Sequence, residues 1–166
     1  MMLQSAEQQL QWLVDRALIS DLLFSFARAL DTRDYATYAS NYAEDGVLEL
    51  PQPSAGGGTL IMRRDEMLEK VPRSLAKYGA THHISSNHQI AVDGDSASSR
   101  SYLQAVHVGS VPTDHWDGGG WYDCSYRRTA AGWKFVTVKL TAVWLTGTPT
   151  KFNTEAPAAQ HLAAGA

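Results

Sequence analysis

Apolar residues at Leu10, Leu13, Val14, Leu18, Ile19, Leu22, Leu23, Phe26, Ala27 and Leu30 recur at spacings of three and four. That period predicts an amphipathic helix over residues 10–30. Asp15, Arg16, Ser20, Asp21 and Arg28 fall largely off the stripe, whereas Asp31, four after Ala27, continues it. A second, shorter helix is expected over 35–42, opened by Thr32-Arg-Asp34. Glu44-Asp-Gly46 closes it and releases a strand at 47–50. Residues 51–58, Pro-Gln-Pro-Ser-Ala-Gly-Gly-Gly, read as a loop. A short strand at 59–62 precedes a third helix beginning at 63–70, which Pro72 limits or kinks because proline lacks the helix N–H.

From Ala80 the period changes to two, and strands are expected over 80–92, 97–108, 121–129 and 133–145. Asp93-Gly94-Asp95 and Ala130-Ala-Gly132 are the turns, and 111–120 a longer loop. In the first of these strands strict alternation places Ile84, Ile90 and Val92 with His82, Ser86 and His88. His83, Ser85, Asn87, Gln89 and Ala91 take the other face. Helices followed by antiparallel strands is α+β order. A long apolar helix must bury its stripe on the concave face of such a sheet, and a curved sheet closed by helices encloses a pocket.

Composition narrows the function classes. The 166 residues carry 44% hydrophobic and 19% charged residues, an ordinary globular balance for one domain. We expect that domain over 1–145 and a loosely ordered Ala/Thr/Gly/Pro-rich tail over 146–166. The net charge of -3 and the lack of a basic run argue against nucleic acid as a partner. Apolar runs are too short to span a membrane, and the first residues lack a basic start and apolar stretch. One cysteine, Cys124, excludes an intrachain disulfide and a cysteine metal cluster. A cytoplasmic protein is the default. Gly56-Gly-Gly58 and Gly118-Gly-Gly120 lack the surroundings of a phosphate loop.

The candidate chemistry lies in Asp31 and the histidines. Asp31 is either an N-cap for the second helix or a functional carboxylate at an end of the first helix, where the helix dipole disfavours it. His83 is either a satisfied strand histidine or, beside a carboxylate that fixes its tautomer, a general base. His107 shares its strand face with Ser101, Leu103 and Ala105 and is a second base, an acid for a leaving group or a core residue. Tyr122 is a donor to a substrate oxygen or packing. Asn87, on the face of His83, orients substrate or the pair. Phe26 and Trp121 are core residues or walls of an aromatic pocket. His82 and His88 read as structural, and His115 and His161 carry no signal. Asp31, His83 and His107 also match a two-His-one-carboxylate metal set.

The chain resembles the SnoaL-like family of the nuclear-transport-factor-2-like superfamily. The matching pieces are Arg28-Ala-Leu-Asp31 with Arg33-Asp-Tyr35, Tyr42-Ala-Glu-Asp-Gly46, Thr81-His-His-Ile84, Val92-Asp-Gly-Asp95, Arg100-Ser-Tyr-Leu103 and Gly132-Trp133. The resemblance covers about 13–145 and implies a cone-shaped, mostly antiparallel sheet with three packed helices around a pocket, the cystatin-like α+β barrel. In polar residues it is similar to scytalone dehydratase, bile-acid dehydratase and dehydrochlorinases. The aspartate and histidine of those enzymes fall on Asp31 and His83, and the second histidine of scytalone dehydratase on His107. Two assisting tyrosines fall on Leu30 and Leu50, which argues against the scytalone reaction itself.

The resemblance makes Asp31, His83 and His107 catalytic candidates and Asn87, Tyr122, Phe26 and Trp121 substrate-binding ones, with no metal and no cofactor. It implies a lyase of the dehydratase type acting by β-elimination on a small, largely apolar, aromatic-tolerant substrate. The alternatives are an isomerase or polyketide-cyclase-like enzyme, or a noncatalytic binding or assembly subunit. Outward apolar residues such as Ile90, Val106 and Val136 suggest a homo-oligomer, a dimer or a trimer.

Overall fold

Ser5 starts the long helix earlier than the apolar stripe indicates. Its hydroxyl accepts from the Gln8 amide at 3.2 Å, and the Gln8 side chain accepts from the Ser5 amide at 3.2 Å. This reciprocal cap satisfies two helix-end donors, and α1 runs Ala6–Asp31. The computed structural model describes residues 5–51, 58–111 and 113–147. Most of the 51–58 loop and nearly all of the 146–166 tail, His161 included, lie outside the described residues. The remaining elements are α2 (Tyr35–Ser40), β1 (Tyr42–Pro51), β2 (Thr59–Arg63), α3 (Arg64–Leu75), β3 (Ala80–Asp93), β4 (Ser96–Val108), β5 (His115–Thr129) and β6 (Gly132–Thr146).

The strands form one sheet in the order β2-β1-β6-β5-β4-β3. Every pairing is antiparallel except β1 with β6, which is parallel. Bulges between Ser86 and Gln89, Gly119 and Gly120, and Ser125 and Tyr126 add twist and curl the sheet. The helices cover its concave face, with Ile19, Leu23 and Phe26 of α1 and Met67 of α3 packed into one core with Tyr122, Phe135 and Val138. Each such side chain contributes about 1.5–3 kcal/mol on full burial. The architecture is the expected α+β one: a curled, mostly antiparallel sheet under three helices.

Four local expectations need correction. The second helix stops at Ser40, and β1 begins at Tyr42 rather than at 47 because Tyr42 already pairs with Phe135 of β6. The glycine-rich stretch read as loop is part of β5. A Cβ on Gly119 would lie 2.4 Å from Trp144 Nε1, and one on Gly120 1.9 Å from the Thr141 carbonyl oxygen. Glycine there marks close approach by β6, not a turn. The third helix runs through Pro72 to Leu75.

The fourth correction concerns faces. The inward line of α1 is Asp15, Ile19, Leu23, Phe26 and Leu30, while Leu10, Leu13, Val14 and Leu18 remain exposed. Asp15, expected off the stripe, is 2% exposed. It is held by Arg128 at 2.7 and 2.8 Å and by the Trp133 indole N–H at 3.0 Å. In β3, Asn87 adopts φ +53° at the bulge, which breaks the alternation. His83 and Ser85 face inward before it; His88, Ile90 and Val92 do so after it, and Asn87 is exposed. Ile90 is therefore not an outward residue, and Asn87 does not share the face of His83.

Candidate active site

The end of α1 sets the position of Asp31. The Asp34 amide donates to the Ala29 carbonyl at 2.9 Å and the Arg33 amide to the Leu30 carbonyl at 3.3 Å, with Arg33 in the left-handed region at φ +61°. This bond pattern closes a helix by turning the chain sharply. Asp34 then caps α2, its carboxylate accepting from the Thr37 amide at 3.1 Å. The capping role weighed for Asp31 belongs to Asp34, and Asp31, the last residue of α1, turns its carboxylate onto β3.

There Asp31 meets three donors. Its Oδ1 lies 2.7 Å from His83 Nδ1 and accepts from the Thr81 hydroxyl at 3.0 Å; its Oδ2 accepts from the His83 backbone N–H at 2.7 Å. The side chains are largely covered, 8% exposed for His83 and 19% for Asp31. These three donors orient the carboxylate, and its contact with Nδ1 places the ring proton of His83 on that nitrogen. The Nε2 lone pair of His83 has no hydrogen-bond partner among the described residues and faces away from Asp31.

Cross-strand pairing builds the surroundings. Thr81 pairs with His107, which pairs with Trp116; His83 pairs with Ala105, which pairs with Gly118, which pairs with Leu145. The row beside His83 therefore offers one methyl and a bare backbone, roofed by Leu145 and the Trp116 ring. The wall is apolar. His107 stands across from His83, ring centroids 5.2 Å apart and nearly perpendicular. It is stacked on Trp116 at 3.9 Å, with Tyr78 against it at 4.9 Å. The Trp116 indole N–H donates to the Tyr78 hydroxyl at 3.0 Å.

His107 is uncharged at neutral pH, with a proton on one ring nitrogen only. Burial, reinforced by the neighbouring His83, pushes its pKa down to about 3. Its Nδ1 is buried without a partner among the described residues. His107 thus faces His83 as a neutral imidazole.

Tyr122 and Phe26 come together in the interior with rings 5.4 Å apart. Burial raises the Tyr122 hydroxyl's pKa far above its usual value, and Tyr38, Cys124 and Asp31 add to the effect. It is a hydrogen-bond donor and not a proton source. Cys124, also buried, is pushed up to about 12, so no thiolate forms. Trp121 and Asn87 are not brought to this place. Trp121 pairs with Tyr102 on the convex face, under the Arg100 guanidinium at 5.2 Å, and Asn87 sits on the bulge. His82 is exposed. His88 bridges Ser20 of α1 at 3.0 Å and Ser85 at 3.1 Å.

Among the described residues no set of three His, Cys, Asp or Glu side chains is arranged around a metal position. Asp31 and His83 direct their oxygen and Nδ1 at each other and do not converge with His107 on a common point. A groove of about 650 Å³ lies on the convex face, lined by Gln89, Arg100, Asp123 and Lys139 among others, on the other side of the sheet from the Asp31–His83 pair. No helix of the described residues is long and apolar enough to cross a membrane.

The sequence reading missed Thr81, Arg33, Tyr78 and Trp116. Thr81 was within reach, since it lies two before His83 and so shares its face. Trp116 was hidden by the glycines that made its strand read as a loop. Nothing in the sequence pairs Arg33 or Tyr78 with the site.

Comparison with known proteins gives the family and the fold. The model of the SnoaL-like domain matches residues 11–139. No curated protein matches the chain by sequence. Among solved structures, a proposed aromatic ring hydroxylase from Novosphingobium aromaticivorans is 27% identical, covers 82% of this chain and 94% of its own, and has a TM-score of 0.71. A proposed scytalone dehydratase from the same organism is 23% identical over 84% and 91%, with a TM-score of 0.71. A hexachlorocyclohexane dehydrochlorinase, LinA type 2, is 20% identical over 86% and 94%, with a TM-score of 0.72. At those identities the last two share the fold.

Proposed function

The chain belongs to the SnoaL-like domain family, and from that premise we propose that it is a cofactor-independent lyase in which His83 is the general base. The observation that carries the reading is the 2.7 Å contact of Asp31 Oδ1 with His83 Nδ1, which leaves Nε2 as the basic atom. His83 Nε2 takes a proton from carbon next to an electron-withdrawing group, and the imidazolium formed is stabilised by the Asp31 anion. A double bond forms as the β-substituent leaves, a halide as its anion and a hydroxyl as water that takes the proton back from the His83 imidazolium. Neutral His107 and the Tyr122 hydroxyl are the donors for the leaving group or the polarised oxygen, acting by hydrogen bonding and not as charged acids.

The apolar row of Ala105, Gly118, Leu145 and Trp116 suits a small, largely apolar substrate, and the stacked Trp116 suits one with a ring. The names of the dehydratase and dehydrochlorinase neighbours are in keeping with elimination. The same base on a substrate with no leaving group gives an isomerase or cyclase. A different reading is a noncatalytic binding or assembly subunit, but such a subunit has no use for a buried carboxylate oriented on a histidine.

The test is proton exchange in deuterium oxide with a panel of aryl ketones, with and without a β-hydroxyl or β-halide. We expect exchange at the α-carbon for the panel and elimination where a β-substituent is present, both lost in His83→Ala. Absence of either reaction across the panel in the wild-type protein contradicts the proposal.

A further inference from the structure

We infer that Arg33 is a positioning residue for the Asp31–His83 pair, acting through the hydroxyl of Thr81; the catalytic meaning of this rests on the reading of His83 as base. Arg33 Nη1 donates to Thr81 Oγ1 at 2.8 Å and to the Leu30 carbonyl at 3.0 Å. A guanidinium only donates, so Thr81 must accept from Arg33 and has its own proton for another partner. That partner is Asp31 Oδ1, at 3.0 Å. The direction of every bond from Arg33 to Thr81 to Asp31 to His83 is thereby fixed.

The backbone supplies an independent reason. Arg33 occupies the left-handed position that ends α1, at φ +61°. Glycine is the usual residue there, because a Cβ crowds the backbone in this conformation. A side chain kept at a strained position points to a use for that side chain. Here the strain has a direct geometric result: the left-handed turn brings the guanidinium back over β3, where it meets Thr81 beside the very carboxylate that the helix end presents. Arg33 is not a catalytic residue, since His83 and Asp31 lie beyond Thr81 from it. With Arg33 present the Thr81 hydroxyl cannot rotate to accept from another donor, and Asp31 keeps its third donor and its orientation toward the imidazole.

Arg33→Gly separates positioning from structure, because glycine retains the turn and removes the guanidinium. The protein's Tm should hold or rise. The hydrogen-bonded Nδ1–H proton of His83, seen in the downfield region of the proton NMR spectrum, should exchange with water about tenfold faster or more, as expected when one bond to a charged group is lost from the chain. Thr81→Val should give the same acceleration, Thr81→Ser should not, and Arg33→Gly combined with Thr81→Val should exchange no faster than either alone. None of these readouts needs turnover, so they stand or fall apart from the lyase reading. An unchanged His83 signal in Arg33→Gly, additive effects in the double variant, or a Tm that falls in Arg33→Gly while Thr81→Val leaves the signal intact would overturn the inference.

Discussion

Asp31 holds His83 at two points: Oδ1 is 2.7 Å from the ring Nδ1, and Oδ2 accepts the same residue's backbone N–H at 2.7 Å. One carboxylate therefore fixes both the strand and the imaginary line along which the imidazole points. A ring tethered only by its Nδ1 would be free to swing with the carboxylate; here the two move as one body. Geometry of this kind is what a positioned base requires.

His107 makes the protein's stability depend on pH in a stated direction. Its folded pKa, about 3, lies below the ordinary value near 6.5, so the unfolded chain binds more protons between those limits. The contribution is fully present above about pH 6.5 and is lost as pH falls toward 3. It is at most about 1.4 kcal/mol per pH unit. His88, lowered by burial, acts with the same sign. Urea midpoints at pH 7 and pH 5 should fall for wild type and fall less for His107→Gln. An equal fall in the two proteins would show that His107 is not buried as a neutral ring.

Asp15 is a second, purely structural dependence. Its pKa is lowered, first by the Arg128 hydrogen bonds and then by those of Trp133 and Gln11, against burial. The folded carboxyl is thus more acidic than the unfolded one, and its stabilisation is present above the unfolded value and lost as pH falls below about 4. Breaking a buried pair by removing one partner costs about 3–5 kcal/mol, and the partial exposure of Arg128 places Asp15→Asn toward the low end. Thermal unfolding at pH 7 measures this, and a Tm within one or two degrees of wild type would contradict it. Activity per folded molecule should be unchanged, because the cluster lies away from His83.

Chelation separates proton transfer from metal chemistry. A base made of Asp31 and His83 needs no ion, so turnover should survive exhaustive dialysis against a strong chelator. Loss of turnover restored by one divalent cation would favour the two-His-one-carboxylate alternative.

The convex face predicts association. Ile84, Tyr102, Val143 and Trp144 are all exposed by 41% or more, and a single layer of helices covers only the other face. We expect a dimer by sedimentation at micromolar concentration, weakened by Tyr102→Glu. A monomer across that range would contradict it.

The sequence made some of this legible and hid the rest for physical reasons. The helix period, the strand alternation and the Asp93-Gly94-Asp95 turn are local signals, and the α+β architecture followed from their order. Asp31 and His83 were readable as a pair only through the family resemblance, because 52 residues separate them. Asn87 and Ile90 were placed on the wrong faces because a single bulge inverts every later side chain, and nothing in Ser86-Asn-His88 announces one. Trp121 was misplaced because its aromatic character fits either face of a strand. Arg33 was invisible as a site residue because its role needs a turn that favours glycine.

The most direct measurement of the central claim is a double-mutant cycle on Asp31 and His83 with a substrate that the exchange panel identifies. A general base contributes about 10²–10⁴-fold, so His83→Ala and Asp31→Asn should each lower kcat by about that much with the fold intact. Because the two act as a unit, the double variant should lose little beyond the worse single one. A folded His83→Ala protein with near wild-type turnover, or single losses that multiply fully in the double variant, would contradict the account.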